Sequence, residues 1–350
     1  MKQRTRPVFW ETGGWPVPAL LPVSCLFGGV SRLRAALYRQ GVLRVSRLPV
    51  PVIVVGNIAV GGSGKTPVVS WLVAWLRAHG RTPGIISRGY GGRLRGPVAV
   101  GADARPVDVG DEPVLLASLT GCPVVIGADR VAAAHHLLQT FPECDVLVSD
   151  DGLQHYRLPR TVEIAVVDES VLGNHRLLPA GPLREAVSRL ASVDVVIAHG
   201  ELSVRTQRAA GQTPVFGMRL EGQRLYPVVP VSAGRLEGAG QRQARPLPLE
   251  ALRGQRVHAV AGIGRPARFF DELRAAGLEV IEHPFADHHA FSAGDLRFDD
   301  ALPCVMTSKD AVKCRSFAPP DTWELPVRAD IADAAGERIL EILTHGRQTA

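Results

Sequence analysis

Hydrophobic positions along this chain alternate between two spacings. Short runs of consecutive aliphatic residues recur at 52–55 (VIVV), 84–87 (GIIS), 123–126 (PVVI), 145–148 (DVLV), 162–167 (VEIAVV) and 193–197 (VDVVI). Runs that are apolar at every position predict strands buried on both faces, as in a parallel sheet. Segments of helical spacing lie between them. The first, 67–78, places Val68, Val69, Leu72, Val73, Trp75 and Leu76 on an apolar helix. This βα repetition predicts an α/β fold, a parallel sheet with helices on both faces. From 211 to 245 the pattern changes to short β-like pieces and Gly/Gln/Arg-rich turns (SAGRLEGAGQRQAR), which predict a hinge. A smaller second α/β unit then begins with the run 257–264 (VHAVAGIG) and a helix over 266–276. The expected organisation is an N-terminal membrane-associating arm over 1–40, a first α/β domain over 41–216, and the hinge with a second α/β domain over 217–350.

The arm carries a different pattern. Residues 15–30 (WPVPALLPVSCLFGGV) are apolar, contain three prolines, and run directly into Arg32, Arg34 and Arg39 beside Leu33, Leu37 and Tyr38. No run of 18 or more apolar residues occurs, so a membrane-spanning helix is not expected, and no cleavage site marks a signal peptide. A helix lying among anionic headgroups, with Trp15 at the interface, fits the pattern. An arm packed on the domain core fits it equally, because periodicity does not separate a lipid-facing stripe from a core-facing one.

Composition narrows the partners. The 350 residues are 46% hydrophobic and 21% charged, an ordinary globular balance with enough material for two cores. The net charge of +6 favours an anionic partner. Aromatics are only 5%, and no stretch interleaves them with dense Lys/Arg, so nucleic acid is not expected and anionic lipid or nucleotide fits better. Five scattered cysteines without C-x-x-C spacing predict neither a disulfide framework nor a zinc site, which suits a reducing cytoplasm.

The first strand run feeds a glycine-rich loop, PVIVVGNIAVGGSGKT over Pro51 to Thr66, followed by the apolar helix. In this strand–loop–helix setting, backbone N–H groups of Gly61, Gly62, Ser63 and Gly64 would cradle phosphate oxygens, Lys65 would reach the terminal phosphates, and the Thr66 hydroxyl would ligate Mg²⁺. The first domain is therefore expected to be P-loop NTPase-like. Ala59 stands where the G-x-x-x-x-G-K-[ST] pattern has its first glycine. Pro67 falls in the first helical turn, where its missing N–H costs nothing. Asp150 and Asp151 end the 145–148 run, so they belong at the carboxyl end of a strand, where α/β sheets bind ligands and a carboxylate would hold Mg²⁺. Asp111 and Glu112 precede a helix and complement its dipole by default. Asp287-His288-His289 is open to three readings: a metal cluster, a surface loop, or part of a catalytic pair.

The loop, SRGYGG (87–92), VGDEP (109–113), SDDGLQH (149–155), LLPAGPLRE (177–185), AGIGRPARFF (261–270), FADHH (285–289) and TSKDAVK (307–313) together resemble the tetraacyldisaccharide 4'-kinase family, over residues 15–328. The resemblance implies ATP-dependent phosphorylation of the 4'-hydroxyl of a tetraacylated glucosamine disaccharide 1-phosphate, giving lipid IVA at the cytoplasmic face of the Gram-negative inner membrane. The enzyme would be peripheral or monotopic, with no obligate protein partner. Position by position, it implies Lys65 and Thr66 at the phosphates and Mg²⁺, Asp150 and Asp151 near Mg²⁺, and Asp111 as catalytic base with His288 as its dyad partner. It also implies Arg130 and Gln154 near the phosphates and Arg184 and Glu185 near the acceptor. Ser308 stands where the family commonly has Glu, and Ala186 where proline often follows GPLRE. On the residues alone, the machinery defines phosphoryl transfer to an unspecified acceptor. A GTP-hydrolysing switch or metallochaperone and a nucleotide-dependent lipid-binding module remain alternatives.

Overall fold

Val52–Gly56 (β1) is buried at every position, and it sits near the middle of a nine-stranded sheet. The computed structural model describes residues 6–228 and 246–346. The first body contains β1, β2 (Pro83–Ser87), β3 (Val98–Ala99), β4 (Val124–Ile126), β5 (Val146–Asp150), β6 (Val162–Val167), β7 (Val195–His199) and β8 (Val215–Glu221). The second contains β9 (Arg224–Pro227), β10 (Leu247–Pro248), β11 (Arg256–Ala261), β12 (Glu279–Pro284), β13 (Cys304–Thr307) and β14 (Thr322–Leu325), after which β15 (Arg328–Ile331) returns to the first sheet.

The large sheet has the order β15-β8-β7-β6-β1-β5-β2-β4-β3. It is parallel from β8 to β4, with antiparallel partners β15 and β3 at its edges. Because side chains alternate along a strand, β1 feeds two cores. Ile53 and Val55 face the helix Lys65–Ala78, whose Val68, Val69, Leu72 and Val73 are buried, together with Leu116 and the C-terminal Ile339 and Ile342. Val52 and Val54 face the other layer, where Val131, Ala134 and Leu137 of the helix Arg130–Thr140 pack. Each such aliphatic side chain contributes about 1.5–3 kcal/mol on burial. The predicted strand runs and helices on both faces are all present.

The second sheet, β10-β9-β14-β13-β11-β12, is parallel from β14 to β12 and packs Phe269, Phe270 and Leu273 of the helix Pro266–Ala275. Its extent departs from the expected division at 217. β8 belongs to the first sheet, and so do β15 and the helix Asp333–His345. The reason is packing. Gly336 lies so close to Trp75 that a Cβ there would stand 2.1 Å from the indole, so the last helix closes the face opened by the first. The expected hinge falls partly on β8 and β9; its 229–245 portion lies outside the described residues.

The arm carries a short helical turn, Phe9–Thr12, and then a single long helix, Val17–Arg39, that takes in both the apolar stretch and the arginines. Pro16 caps it, Pro18 sits among the first-turn donors that need no partner, and Pro22 is carried inside. At 23 residues it is long and apolar enough to cross a membrane by length and composition, which the sequence pattern did not suggest; only 11% of its most apolar window is buried. One face docks on the body. Ser24 Oγ donates to Leu177 O at 2.9 Å and accepts from Ala180 N at 3.0 Å, and Tyr38 stacks on Tyr156. The opposite face leaves Val23, Leu26, Val30 and Leu33 exposed, with Trp15 80% exposed at its start.

Candidate active site

The phosphate loop follows β1 directly and ends at Gly64, whose φ of 87° lies in the left-handed region. Any side chain there would be strained, and its Cβ would stand 2.9 Å from Met218 Cε. The Lys65–Ala78 helix begins immediately, so its unpaired N–H groups face the loop with the positive end of the helix dipole. Ser63 is fully buried, yet its hydroxyl has no hydrogen-bond partner, and the same holds for Asn57 Nδ2. Buried polar atoms without partners are costly in a finished core and are expected where a polar ligand completes them.

Asp150 ends β5 and Asp151 follows it directly; β5 pairs with β1 so that Val55 lies opposite Asp150. The pair therefore stands beside the loop. Asp150 accepts a 3.3 Å hydrogen bond from Ser87 Oγ through Oδ2, while Oδ1 is buried and without a partner. Burial, with the Glu112 carboxylate nearby, pushes its pKa up despite Lys65 and Arg130. Asp151 behaves oppositely. Burial works against its ionisation, but Lys65 at 3.6 Å and a bidentate Arg184 at 2.9 and 3.1 Å hold its carboxyl well below the usual range. Asp151 adopts φ 50°, a left-handed conformation that costs a non-glycine residue about 1–3 kcal/mol and is common at functional sites.

Arg184 also donates to Gln154 Oε1 at 3.0 Å, and Gln154 Nε2 donates to Glu185 Oε1 at 2.8 Å. Glu185 additionally accepts from Tyr156 and Arg189. Asp151, Arg184, Gln154 and Glu185 thus form one continuous hydrogen-bonded network. A cavity of 430 Å³ opens between the arm helix and this network, lined by Arg32, Arg39, Arg160, Arg184 and Arg189 among others. Arg130 is 2% exposed; its Nη1 donates to Gly127 O at 2.6 Å, and its Nε and Nη2 have no partner. Burial lowers its pKa to about 10, against the pull of Asp150 and Asp151.

Asp111 is the first residue of the helix Asp111–Thr120 on the first body, behind Gly110 at the N-cap position, and its Oδ1 accepts from Glu112 N at 3.0 Å. Its carboxylate also reaches the second body. His288 of the second body places Nδ1 3.0 and 3.1 Å from the two carboxylate oxygens. Burial disfavours both charges, but the hydrogen bond between them and the Lys309 ammonium hold Asp111 at about 2, and the same bond to Asp111 raises His288. His288 takes φ 60°, and Tyr90 meets its ring edge-on at 5.2 Å. The second body also reaches the phosphate loop: a Cβ on Gly264 would stand 3.7 Å from both Asp287 Oδ2 and Gly62 N. His289 is turned away, packed against Phe285 and Phe291.

Residues 17–344 match the sequence profile of the family described as tetraacyldisaccharide-1-P 4'-kinase. The chain belongs to this family. Similar relatives are the tetraacyldisaccharide 4'-kinases of Aromatoleum aromaticum, 60% identical over 99% of both chains, and of Azoarcus sp., 57% identical over 99% of this chain and 97% of that one. The solved structure of LpxK from Aquifex aeolicus in complex with ATP has a TM-score of 0.76 at 28% identity, covering 93% of this chain and 99% of that one. Membership of a kinase family sets aside the switch and binding-module readings that the residues alone left open.

The fold gathers the residues named from the sequence around the loop, the Asp150–Asp151 strand end and the Asp111–His288 contact, with Thr66 in the first turn after the loop. Three further residues contact this network without being singled out by the sequence. Arg189, four residues further along the chain, donates to Glu185, a spacing visible in the sequence but without a reason to single it out. Glu112 was read only as a dipole partner. Lys309 lies in a motif that carried the resemblance but was given no role.

Proposed function

We propose that this member of the tetraacyldisaccharide-1-P 4'-kinase family transfers the γ-phosphate of ATP to the 4'-hydroxyl of a tetraacyldisaccharide 1-phosphate, yielding lipid IVA. The observation that carries the reading is the Asp111–His288 pair, because a carboxylate held in hydrogen-bond contact with an imidazole beside a phosphate loop suits proton removal from an acceptor hydroxyl.

The ATP phosphates would lie on the N–H groups of Gly61 to Gly64, with Lys65 and Arg130 donating to them. Arg130 carries two buried N–H groups free for that purpose. Mg²⁺ fits the donors present: the unpartnered Asp150 Oδ1 is an oxygen that a cation would complete, with Thr66 and Asp151 as further oxygen donors. Bound there, the ion would neutralise charge on the β- and γ-phosphate oxygens. Asp151 keeps Lys65 and Arg184 oriented until the phosphates arrive. Asp111, aligned by His288, accepts the hydroxyl proton as the oxygen attacks, and the arginines of the cavity suit the anionic acceptor headgroup.

We further infer that the protein is peripheral or monotopic at an anionic membrane surface, the cytoplasmic face of the inner membrane, with the exposed apolar row of the arm helix in the interface. The half-docked arm supports this, since its inner face is already occupied by the body. The functional test is transfer of radiolabel from γ-labelled ATP into a tetraacyldisaccharide 1-phosphate acceptor, followed in the lipid phase. Absence of labelled lipid under conditions where ATP binds would reject the proposal.

A further inference from the structure

Lys309 is the second residue of the helix Ser308–Cys314, which follows β13 in the second body. Its side chain is only 18% exposed, and its ammonium meets three partners. Nζ lies 3.3 Å from Glu112 Oε1 on the first body, 3.2 Å from Asp287 Oδ1, and 3.4 Å from His288 Nε2. Burial disfavours the ammonium, but Glu112, Asp111 and Asp287 outweigh it and raise the Lys309 pKa, so the group is charged.

An ammonium only donates. In the neutral imidazole this contact calls for a lone pair on Nε2, which leaves the ring proton on Nδ1, where the Asp111 carboxylate accepts it. The imidazole is gripped from both sides, and the grip depends on the two bodies being together, because Asp111 and Glu112 come from one and His288 and Lys309 from the other. We propose that Lys309 is a positioning residue for phosphoryl transfer: it selects the His288 tautomer that aligns Asp111, and through Glu112 it forms that arrangement only when the second body is docked. The inference rests on the reading of Asp111 and His288 as the base pair.

The charged and titratable groups around His288 oppose one another. Asp111 and Asp287 favour the imidazolium, Lys309 opposes it, Tyr90 covers the ring edge, Glu112 partly neutralises Lys309, and Lys313 acts on Asp111 from a turn further along the helix. Removing the Lys309 charge therefore leaves His288 easier to protonate.

The test uses full-length Lys309→Met, Lys309→Gln and Lys309→Arg, each checked for the wild-type circular dichroism spectrum. The His288 imidazole is titrated by NMR in the free protein, and kcat and KM for ATP are measured across pH with the lipid acceptor. In the Met and Gln variants the His288 midpoint should rise, the acidic limb of kcat should move to higher pH, and kcat should fall about tenfold or more with KM for ATP within about twofold. Arg should restore both the midpoint and most of the rate. If the midpoint and the pH profile stay at wild-type values, the proposal is overturned, even if activity drops, because a mere structural tie between the bodies would lower activity without moving either. Wild-type kcat in Asp111→Ala or His288→Ala would instead reject the base-pair reading, while the NMR titration would still report on the Lys309 contact.

Discussion

Removing the His288 imidazole should strand Asp111. That carboxyl is 5% exposed, and its pKa is displaced from an ordinary 3.8 to about 2 against the opposing pull of burial. At about 1.4 kcal/mol per unit, the displacement means that the folded protein favours the carboxylate by about 2 kcal/mol net. The direct contacts contribute more than this, because they must first offset desolvation. In His288→Ala the Asp111 pKa should rise, with Lys309 the principal cation left beside it. The signs fix a pH window. The lowered Asp111 contributes stability above its ordinary 3.8 that is lost as pH falls towards about 2, while the raised His288 contributes stability below its ordinary 6.5 that is lost as pH rises through its folded value. The pair should therefore support docking of the two bodies most strongly between those ordinary values, and His288→Ala should flatten the thermal stability profile there. For catalysis, general-base alignment is worth about 10²–10⁴ in rate, so kcat for lipid phosphorylation should fall within that range with ATP affinity little changed. The pair acts as one unit, so Asp111→Ala/His288→Ala should be little worse than the more damaged single variant. Fully multiplicative losses with an unshifted kcat–pH profile would refute the reasoning, leaving Asp111 as a helix cap and His288 as a substrate contact.

Lys65→Ala and Asp150→Ala should each lower phosphoryl transfer by 10²-fold or more, the usual scale for electrostatic stabilisers of a transition state, with unchanged circular dichroism; retention of about a tenth of wild-type turnover would exclude a main role. Chelation with EDTA should abolish transfer and restoration of Mg²⁺ should recover it; transfer that persists through chelation would argue against a cation at Asp150. Changing Arg32, Arg34 and Arg39 to Gln should weaken co-sedimentation with anionic liposomes, and salt should weaken it in the unmodified protein; indifference to both would mean that the arm serves packing alone. Gly336→Val drives a side chain into Trp75 and should lower stability by about 1–3 kcal/mol, read as a reduced Tm; an unchanged Tm would show that the last helix does not pack as described.

What the sequence determined by itself is whatever neighbouring residues specify together. The all-apolar run at 52–55 is a buried strand because each side chain needs cover on its own face, and the Gly61–Lys65 segment is a phosphate loop because glycine permits the backbone turn and the helix behind it supplies the N–H groups. The two aspartates at the end of β5 were legible for the same reason: a strand end in an α/β sheet is a local feature with a known orientation. Tertiary structure decided the rest. The residues alone left Asp111 as a helix cap and the His288–His289 pair unassigned; their connection came from the resemblance, and only docking of the second body brings the two groups to 3.0 Å. Lys309 had no local signature, because its meaning is the simultaneous presence of Glu112, Asp287 and His288. The return of β15 and the helix Asp333–His345 to the first sheet was equally hidden, since an antiparallel edge strand and an apolar helical stripe report that a face is buried, not which body covers it. The arm shows the limit from the other side. Its sequence held both the docked and the exposed face of one helix, and only the fold divided them, setting Ser24 against Leu177 and leaving Leu26 and Leu33 outside.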